Sequence, residues 1–332
     1  MKLAREFIRL PLSFDAERLA GEVNALPAEA WQSHPTGYKG NSAIPLISVG
    51  GEANDIFSGP MAETAWLKQS PYLRQVLASF QVVFGRSRLM GLAGGQEVPQ
   101  HSDSNYHWFT RVRIHVPVIT YPEVMFHCHD KAIHMAAGEA WVFDNWKVHR
   151  VVNPTTGFRV HLVADTVGSS IFWAMIEQSL KHAPDRLDAD KLEVHHVSFN
   201  PHSSPQLMME QFNTLDVMHP GEMELLTEDL VADLLASTGA PDIEDLARQF
   251  TSAVRGFYQD WKSIWSVYGS SQAGWSLYEN RRNRLLADLQ AIRQPLVLSS
   301  NGLIAQRVML ARVLVACVNK PIPGMNEIQF AR

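Results

Sequence analysis

With 332 residues, 46% hydrophobic and 19% charged, the chain has enough apolar material for one large core or two smaller ones, which excludes a disordered protein. Its formal charge of -5 comes with scattered Lys and Arg, so it offers no basic field for nucleic acid. Only two cysteines occur, the opening MKLAREFIR has no apolar leader core, and no apolar run is long enough for a membrane span, so a cytoplasmic protein without membrane partners is expected.

In chain order, Phe14 to Trp31 and Ala62 to Phe80 read as helices, with Ile44 to Ser48 as a strand between them. From Ser87 to Val167 follow short β-type runs, SRLMGLA, TRVRIHVPVIT, VMFHCH, EAWVF, HRVVN and FRVHLVAD. Turn chemistry at Gly94-Gly95, Tyr121-Pro122, Gly138 and Asn153 to Gly157 punctuates them, as in an antiparallel sandwich or barrel. The stretch from Ala183 to Pro205 is polar and reads as a linker or surface crossing. Beyond it Leu246, Phe250, Val254, Phe257, Trp261, Ile264 and Tyr268 recur at helical spacing, a stripe best explained as packing core. An α+β chain is expected, with residues 1–180 holding the strands and N-terminal helices, and 181–332 mainly helical.

The chemistry concentrates between Gly95 and Asp165. In an extended chain His101 and Asp103 project from one face. With 14 histidines and 34 acidic residues in 332 positions, roughly one His-x-acid pair is expected by chance, so the pair alone carries little weight. A second constellation adds to it: the run from Gly138 to Asp144, then His149, then Arg159 ten residues on. The NPTTG turn between them suggests a hairpin with His149 and Arg159 on neighbouring strands. Two imidazoles and a carboxylate on one face of an octahedral metal leave adjacent positions open, the triad associated with iron(II) oxygenases. The distal carboxylate of a 2-oxo acid then suits a fixed bidentate cation, and Arg159 is the candidate.

In the strand from Thr110 to Val118, Arg111, Arg113 and His115 share one face, which is either a solvated edge or an anion pocket. Arg159 and His161 likewise share a face. His107 could touch substrate, although packing explains it as well. In His127-Cys128-His129, residues 127 and 129 take one strand face and Cys128 the other, so the three cannot easily meet one metal.

Taken together, H-S-D, R-V-R-I-H, G-E-A-W-V-F-D, H-R-V-V-N and F-R-V-H-L-V-A-D resemble the aspartyl/asparaginyl β-hydroxylase superfamily, closest in motif to its bacterial proline hydroxylases. The resemblance covers about Gly85 to Gly168. It implies a double-stranded β-helix (jelly-roll, cupin-like) core, Fe(II) and 2-oxoglutarate as cofactors, and hydroxylation of an amino acid or amino-acid residue with release of succinate and CO2. By position, His101, Asp103 and His149 become metal ligands, Arg159 the 2-oxoglutarate anchor, Arg113 and His115 further pocket residues, and Arg111 a contact for a substrate carboxylate. Peptidyl aspartyl hydroxylases can have glycine where Asp103 stands, which favours a small amino acid, whereas the long helical extension suits a peptide or carrier-bound substrate. Two other outcomes stay open at this point: desaturation or epoxidation on the same fold, and a non-catalytic module that binds or senses an organic acid.

Overall fold

Nearly continuous buried runs lay down the long strands of this chain, strict alternation of buried and half-buried side chains marks short ones such as Met125–Cys128 and His149–Asn153, and caps and turns help decide where elements stop. The structure, a computed structural model, describes residues 1–33, 37–182, 192–237 and 241–322. These fall into two compact units, residues 1–102 with 110–213, and residues 103–109 with 214 onward.

The first unit opens with β1 (Phe7–Phe14) and α1 (Ala16–Asn24). Asp15 caps α1 by accepting from the Arg18 amide at 3.0 Å, so the helix begins two residues after Phe14 and the apolar run before it stays extended. Then come β2 (Gln32–Ser33), β3 (Asn41–Val49), β4 (Met61–Glu63), α2 (Ala65–Lys68) and α3 (Pro71–Ser79). The single helix expected over Ala62 to Phe80 is therefore a strand and two helices. Pro71 sits in the first turn of α3, where its missing N–H costs nothing. The amides of Tyr72 and Leu73 donate to the Glu22 carboxylate at 2.8 and 2.9 Å, so an acid from α1 caps α3.

β5 (Val83–Leu92), β6 (Gln96–His101), α4 (Tyr106–Thr110), β7 (Val112–Ile119), β8 (Met125–Cys128), β9 (Lys131–Ile133), β10 (Glu139–Phe143), β11 (His149–Asn153) and β12 (Arg159–Thr166) follow, then α5 (Ser170–His182), β13 (His195–Val197) and β14 (Met208–Met209). The large sheet runs β13-β1-β10-β7-β12-β5-β3-β2, with β14 on β5 and β4 on β3; the small sheet runs β6-β11-β8-β9. From β5 to β12 the chain passes back and forth between the two, so β10-β7-β12-β5 opposes β6-β11-β8-β9. That winding is a double-stranded β-helix, the jelly-roll order, with helices flanking it in an α+β chain.

Two apolar layers hold it. Between the sheets Leu92, Trp141 and Phe143 pack with Phe126, Cys128 and Val151. Outside the large sheet Leu89, Ile114, Val116, Val142 and Leu162 meet Leu19 and Val23 of α1, Leu73 and Val76 of α3, and Phe172 of α5. Gly138, at φ +79°, begins β10 where a Cβ would lie 2.4 Å from the Phe14 carbonyl oxygen, which excludes any other residue.

Residues 183–191 of the expected linker lie outside the described residues. The rest of that stretch is not all a crossing, since β13 within it pairs with β1, and just past it β14 pairs with β5. These pairings move the unit boundary from the expected 180/181 to 213/214. His127 and His129 do not share a strand face either, because β8 ends at Cys128 and His129 turns away at φ +54°.

In the second unit are α6 (Pro220–Leu235), α7 (Pro241–Tyr268), α8 (Trp275–Ala291) and α9 (Ala305–Met309). The stripe of α7 is core at Phe250, Val254, Phe257 and Trp261, half-buried at Leu246 and Ile264, and exposed at Tyr268. The Trp261 indole donates to the Met218 carbonyl at 2.9 Å. Tyr106 donates to Glu222 at 2.6 Å, which shows how 103–109 joins this unit. Among the described residues no helix is long and apolar enough to cross a membrane. Cys128 in the first unit and Cys317 in the second are free and buried, and burial pushes each thiol up to about 12.

Candidate metal centre

His101 ends β6, His149 begins β11, and the two are direct partners across the antiparallel pair. Their rings lie 4.2 Å apart between centroids. Ligand atoms of His101, Asp103 and His149 all fall within 4.8 Å of one another. Asp103 reaches the pair from two residues beyond β6, so the turn after the strand places it, not the extended alternation expected.

Each imidazole is oriented by its own backbone. His101 Nδ1 sits 2.8 Å from the Pro99 carbonyl and His149 Nδ1 2.9 Å from the Lys147 carbonyl. A carbonyl only accepts, so both Nδ1 atoms carry the proton and both lone pairs sit on Nε2, the usual arrangement behind a metal-binding histidine. Two imidazole nitrogens and a carboxylate oxygen make a donor set suited to a divalent first-row metal.

The interior face of the large sheet supplies the rest. Arg159, His161 and Asp165 alternate along β12, and cross-strand partners put Met90 and Arg88 of β5 beside His161 and Val163, and His115 and Arg113 of β7 beside Val163 and Asp165. The NPTTG segment joins β11 of the small sheet to β12 of the large one. His149 and Arg159 therefore stand on opposed sheets and not on paired strands. Asn153 builds this crossing: its amide donates to Gly157 at 2.8 Å and Leu92 at 3.1 Å, and its oxygen accepts from the Thr155 amide at 3.2 Å.

Arg159 is 4% exposed, and burial pushes its guanidinium down to about 9. Its Nε finds no acceptor, and among the described residues no acid pairs with it. A buried cation without a partner is costly and calls for an anion. His115 and His161 are also fully enclosed. Burial, with Arg113 and Arg159 for His115 and Arg159 for His161, holds both rings well below the ordinary histidine range.

Two expected anion contacts are already satisfied by the chain. Arg113 donates to both oxygens of Asp165, at 2.8 and 3.3 Å. Arg111 does so to Glu210, at 2.8 Å each. Neither guanidinium is a bare receptor for a carboxylate, because each already holds one in the bidentate geometry it would offer a ligand. His107 is buried edge-on against Trp108. Sequence reasoning did not foresee Asp165, Glu210, Arg86 or Arg88. Arg86 and Arg88 are buried on β5 and both reach Asp55, while the Arg86 guanidinium also lies 3.8 Å over the Phe57 ring. Asp165 was readable, since it shares the strand face of Arg159; Glu210 carried no local signal. A second ligand-like group, Glu6 with His129 and Asp130, is engaged otherwise, because Lys131 and Lys147 both clamp Glu6.

The double-stranded β-helix thus holds His101 and His149 at its strand ends, with ligand atoms of these two and Asp103 all within 4.8 Å of one another. Residues 54–168 match the family model described as aspartyl/asparaginyl β-hydroxylase, so the resemblance seen in the motifs holds over that segment. No curated protein matches the chain. Among solved structures, the chain is similar to a Pseudomonas putida prolyl-4-hydroxylase (12% identity, TM-score 0.34, 49% of this chain and 92% of that one). It is also similar to a 2OG-Fe(II) oxygenase family oxidoreductase from Burkholderia pseudomallei (14%, 0.37, 50% and 88%). A third is a Trichoplax adhaerens prolyl hydroxylase solved with a hypoxia inducible factor peptide (10%, 0.36, 52% and 87%).

Proposed function

We propose that this protein is an Fe(II)/2-oxoglutarate-dependent dioxygenase that hydroxylates an unactivated carbon of an amino acid or amino-acid residue, releasing succinate and CO2. The observation that carries the reading is the convergence of His101, Asp103 and His149 within 4.8 Å. These three would hold the iron. When bound there, iron with 2-oxoglutarate and dioxygen supplies the oxidising chemistry that no side chain of this chain can supply.

The protein's own contribution is positioning. The Pro99 and Lys147 carbonyls aim the two imidazoles, and Arg159 offers its fork to the distal carboxylate of 2-oxoglutarate, whose charge would offset a guanidinium otherwise buried without a partner. The rings of His115, Phe126 and Phe143 pack against one another between the sheets, where they would shield the site from water. With Arg111 and Arg113 committed to Glu210 and Asp165, neither is assigned to the substrate, which is left as an amino acid, free or within a peptide or carrier.

The test is turnover. Protein loaded with iron(II) and given 2-oxoglutarate and candidate amino acids or peptides should form succinate together with a product heavier by one oxygen atom. Metal-loaded protein that binds 2-oxoglutarate yet yields no succinate with any candidate would count against the enzyme reading. A product lighter by two hydrogens would replace hydroxylation with desaturation.

A further inference from the structure

The two histidines of the metal centre are held by their strands, and Asp103 is not. His101 and His149 face each other across the ladder of β6 and β11, and each Nδ1 is fixed by the carbonyl two residues before it. Asp103 lies past the end of β6 and ahead of α4. Among the described residues its carboxylate accepts no hydrogen bond. A stretch without a ladder has many conformations open to it, and only some bring the carboxylate to the imidazoles. Its anchorage has to come from the α4 side as well as from β6.

That side is fixed to α6 at two points. Asn105 starts α4 by accepting from the Trp108 amide at 3.4 Å, and the first residue of the helix, Tyr106, donates its hydroxyl to Glu222 at 2.6 Å. At the other end the Phe109 ring lies 4.9 Å from the Arg312 guanidinium, which donates to Asp229 of the same α6 at 2.8 Å. The start of α6 is itself held firmly. Met218, just ahead of it, accepts from the Trp261 indole, and the ring of the capping His219 packs edge-on against Trp265 at 5.1 Å. Glu222 in the first turn is therefore a fixed acceptor, and its bond to Tyr106 is charge-assisted.

We propose that Tyr106 is a positioning residue for the metal: by holding α4 to Glu222, it keeps the Asp103 carboxylate beside His101 and His149. The inference rests on the metal centre of the dioxygenase reading and needs neither 2-oxoglutarate nor oxygen. Apparent metal affinity scales with the fraction of molecules in which all three ligands stand ready. Losing the anchor lowers that fraction only for a metal that uses Asp103.

This condition sets the experiment, calorimetric binding of zinc(II) to the full chain in a double-mutant cycle. Tyr106→Phe should weaken zinc about tenfold in the parent, the size of a lost bond to a charged acceptor, and change it less than twofold in Asp103→Ala. Glu222→Gln keeps an acceptor oxygen for the hydroxyl and should stay within about threefold of the parent, whereas Glu222→Ala should follow Tyr106→Phe. Parent-like affinity in Tyr106→Phe overturns the proposal, and so does an equal loss in both backgrounds, which would make Tyr106 a packing residue. Should Asp103→Ala fail to fold, hydrogen exchange decides through the reciprocal effect. Zinc should slow exchange in the early turns of α6 in the parent and not in Tyr106→Phe; no slowing in the parent overturns the proposal. A parent that takes up no zinc overturns the metal centre and the proposal together. The expected cycle in a protein that forms no succinate would support the role of Tyr106 and sink the dioxygenase reading alone.

Discussion

Arg159 combines deep burial with a missing partner, so its replacement separates two affinities. Arg159→Ala should weaken 2-oxoglutarate binding by roughly a hundredfold, the size of a lost charge-assisted pair, and leave metal affinity within about twofold. Calorimetry of each ligand checks this, and equal loss of both would mean that the site is assigned wrongly. The buried pair His115 and His161 makes a second statement, about pH. Both rings resist protonation in the folded chain, whereas the unfolded chain regains the ordinary value of 6.5. The unfolded state therefore binds more protons below that value, so the stability contribution is fully present above about pH 6.5 and is lost as the pH falls beneath it. The slope reaches up to ~2.7 kcal/mol per pH unit for two rings. Urea midpoints between pH 5 and 8 should show it, and the double variant His115→Phe/His161→Leu should flatten the curve.

At the level of elements, much of the barrel was legible because alternation and turn residues are local. β7, β10, β11 and β12 stand where TRVRIHVPVIT, EAWVF, HRVVN and FRVHLVAD place them. The candidate site was legible to the same depth, since His101 and His149 lie on strand ends and Asp103, two residues past His101, comes within 4.8 Å of both. What escaped was long-range. No local pattern says that β11 and β12 enter different sheets, or that Arg111 meets an acid 99 residues away. β1 was hidden because its apolar run abuts a helix, and only the Asp15 cap marks the change. The crossing from β11 to β12 now carries a prediction. Asn153 is fully buried, and Asn153→Ala removes its amide from the Leu92 and Gly157 carbonyls. A cost of about 3 kcal/mol is expected from these unsatisfied groups, read as a lowered denaturation midpoint with unchanged slope. Because Arg159 begins just past this turn, 2-oxoglutarate affinity should fall more than metal affinity.

On the scale of the whole molecule, composition allowed one core or two, and the described residues form two units, one mainly β and one helical. The boundary lay further along than the change in composition suggested, since β13 and β14 return to the large sheet after the polar stretch has begun. Each unit holds one cysteine, and both thiols are buried and lifted to about 12. At neutral pH such thiols are protonated and out of reach of alkylating reagents until the surrounding structure opens. The pair is thus a built-in stopwatch with two hands: mass spectrometry after timed exposure to iodoacetamide should mark Cys128 at the rate the barrel opens and Cys317 at the rate the helices do. Equal rates would make the opening a single event, unequal rates two, and immediate labelling of either in the native protein would contradict its burial.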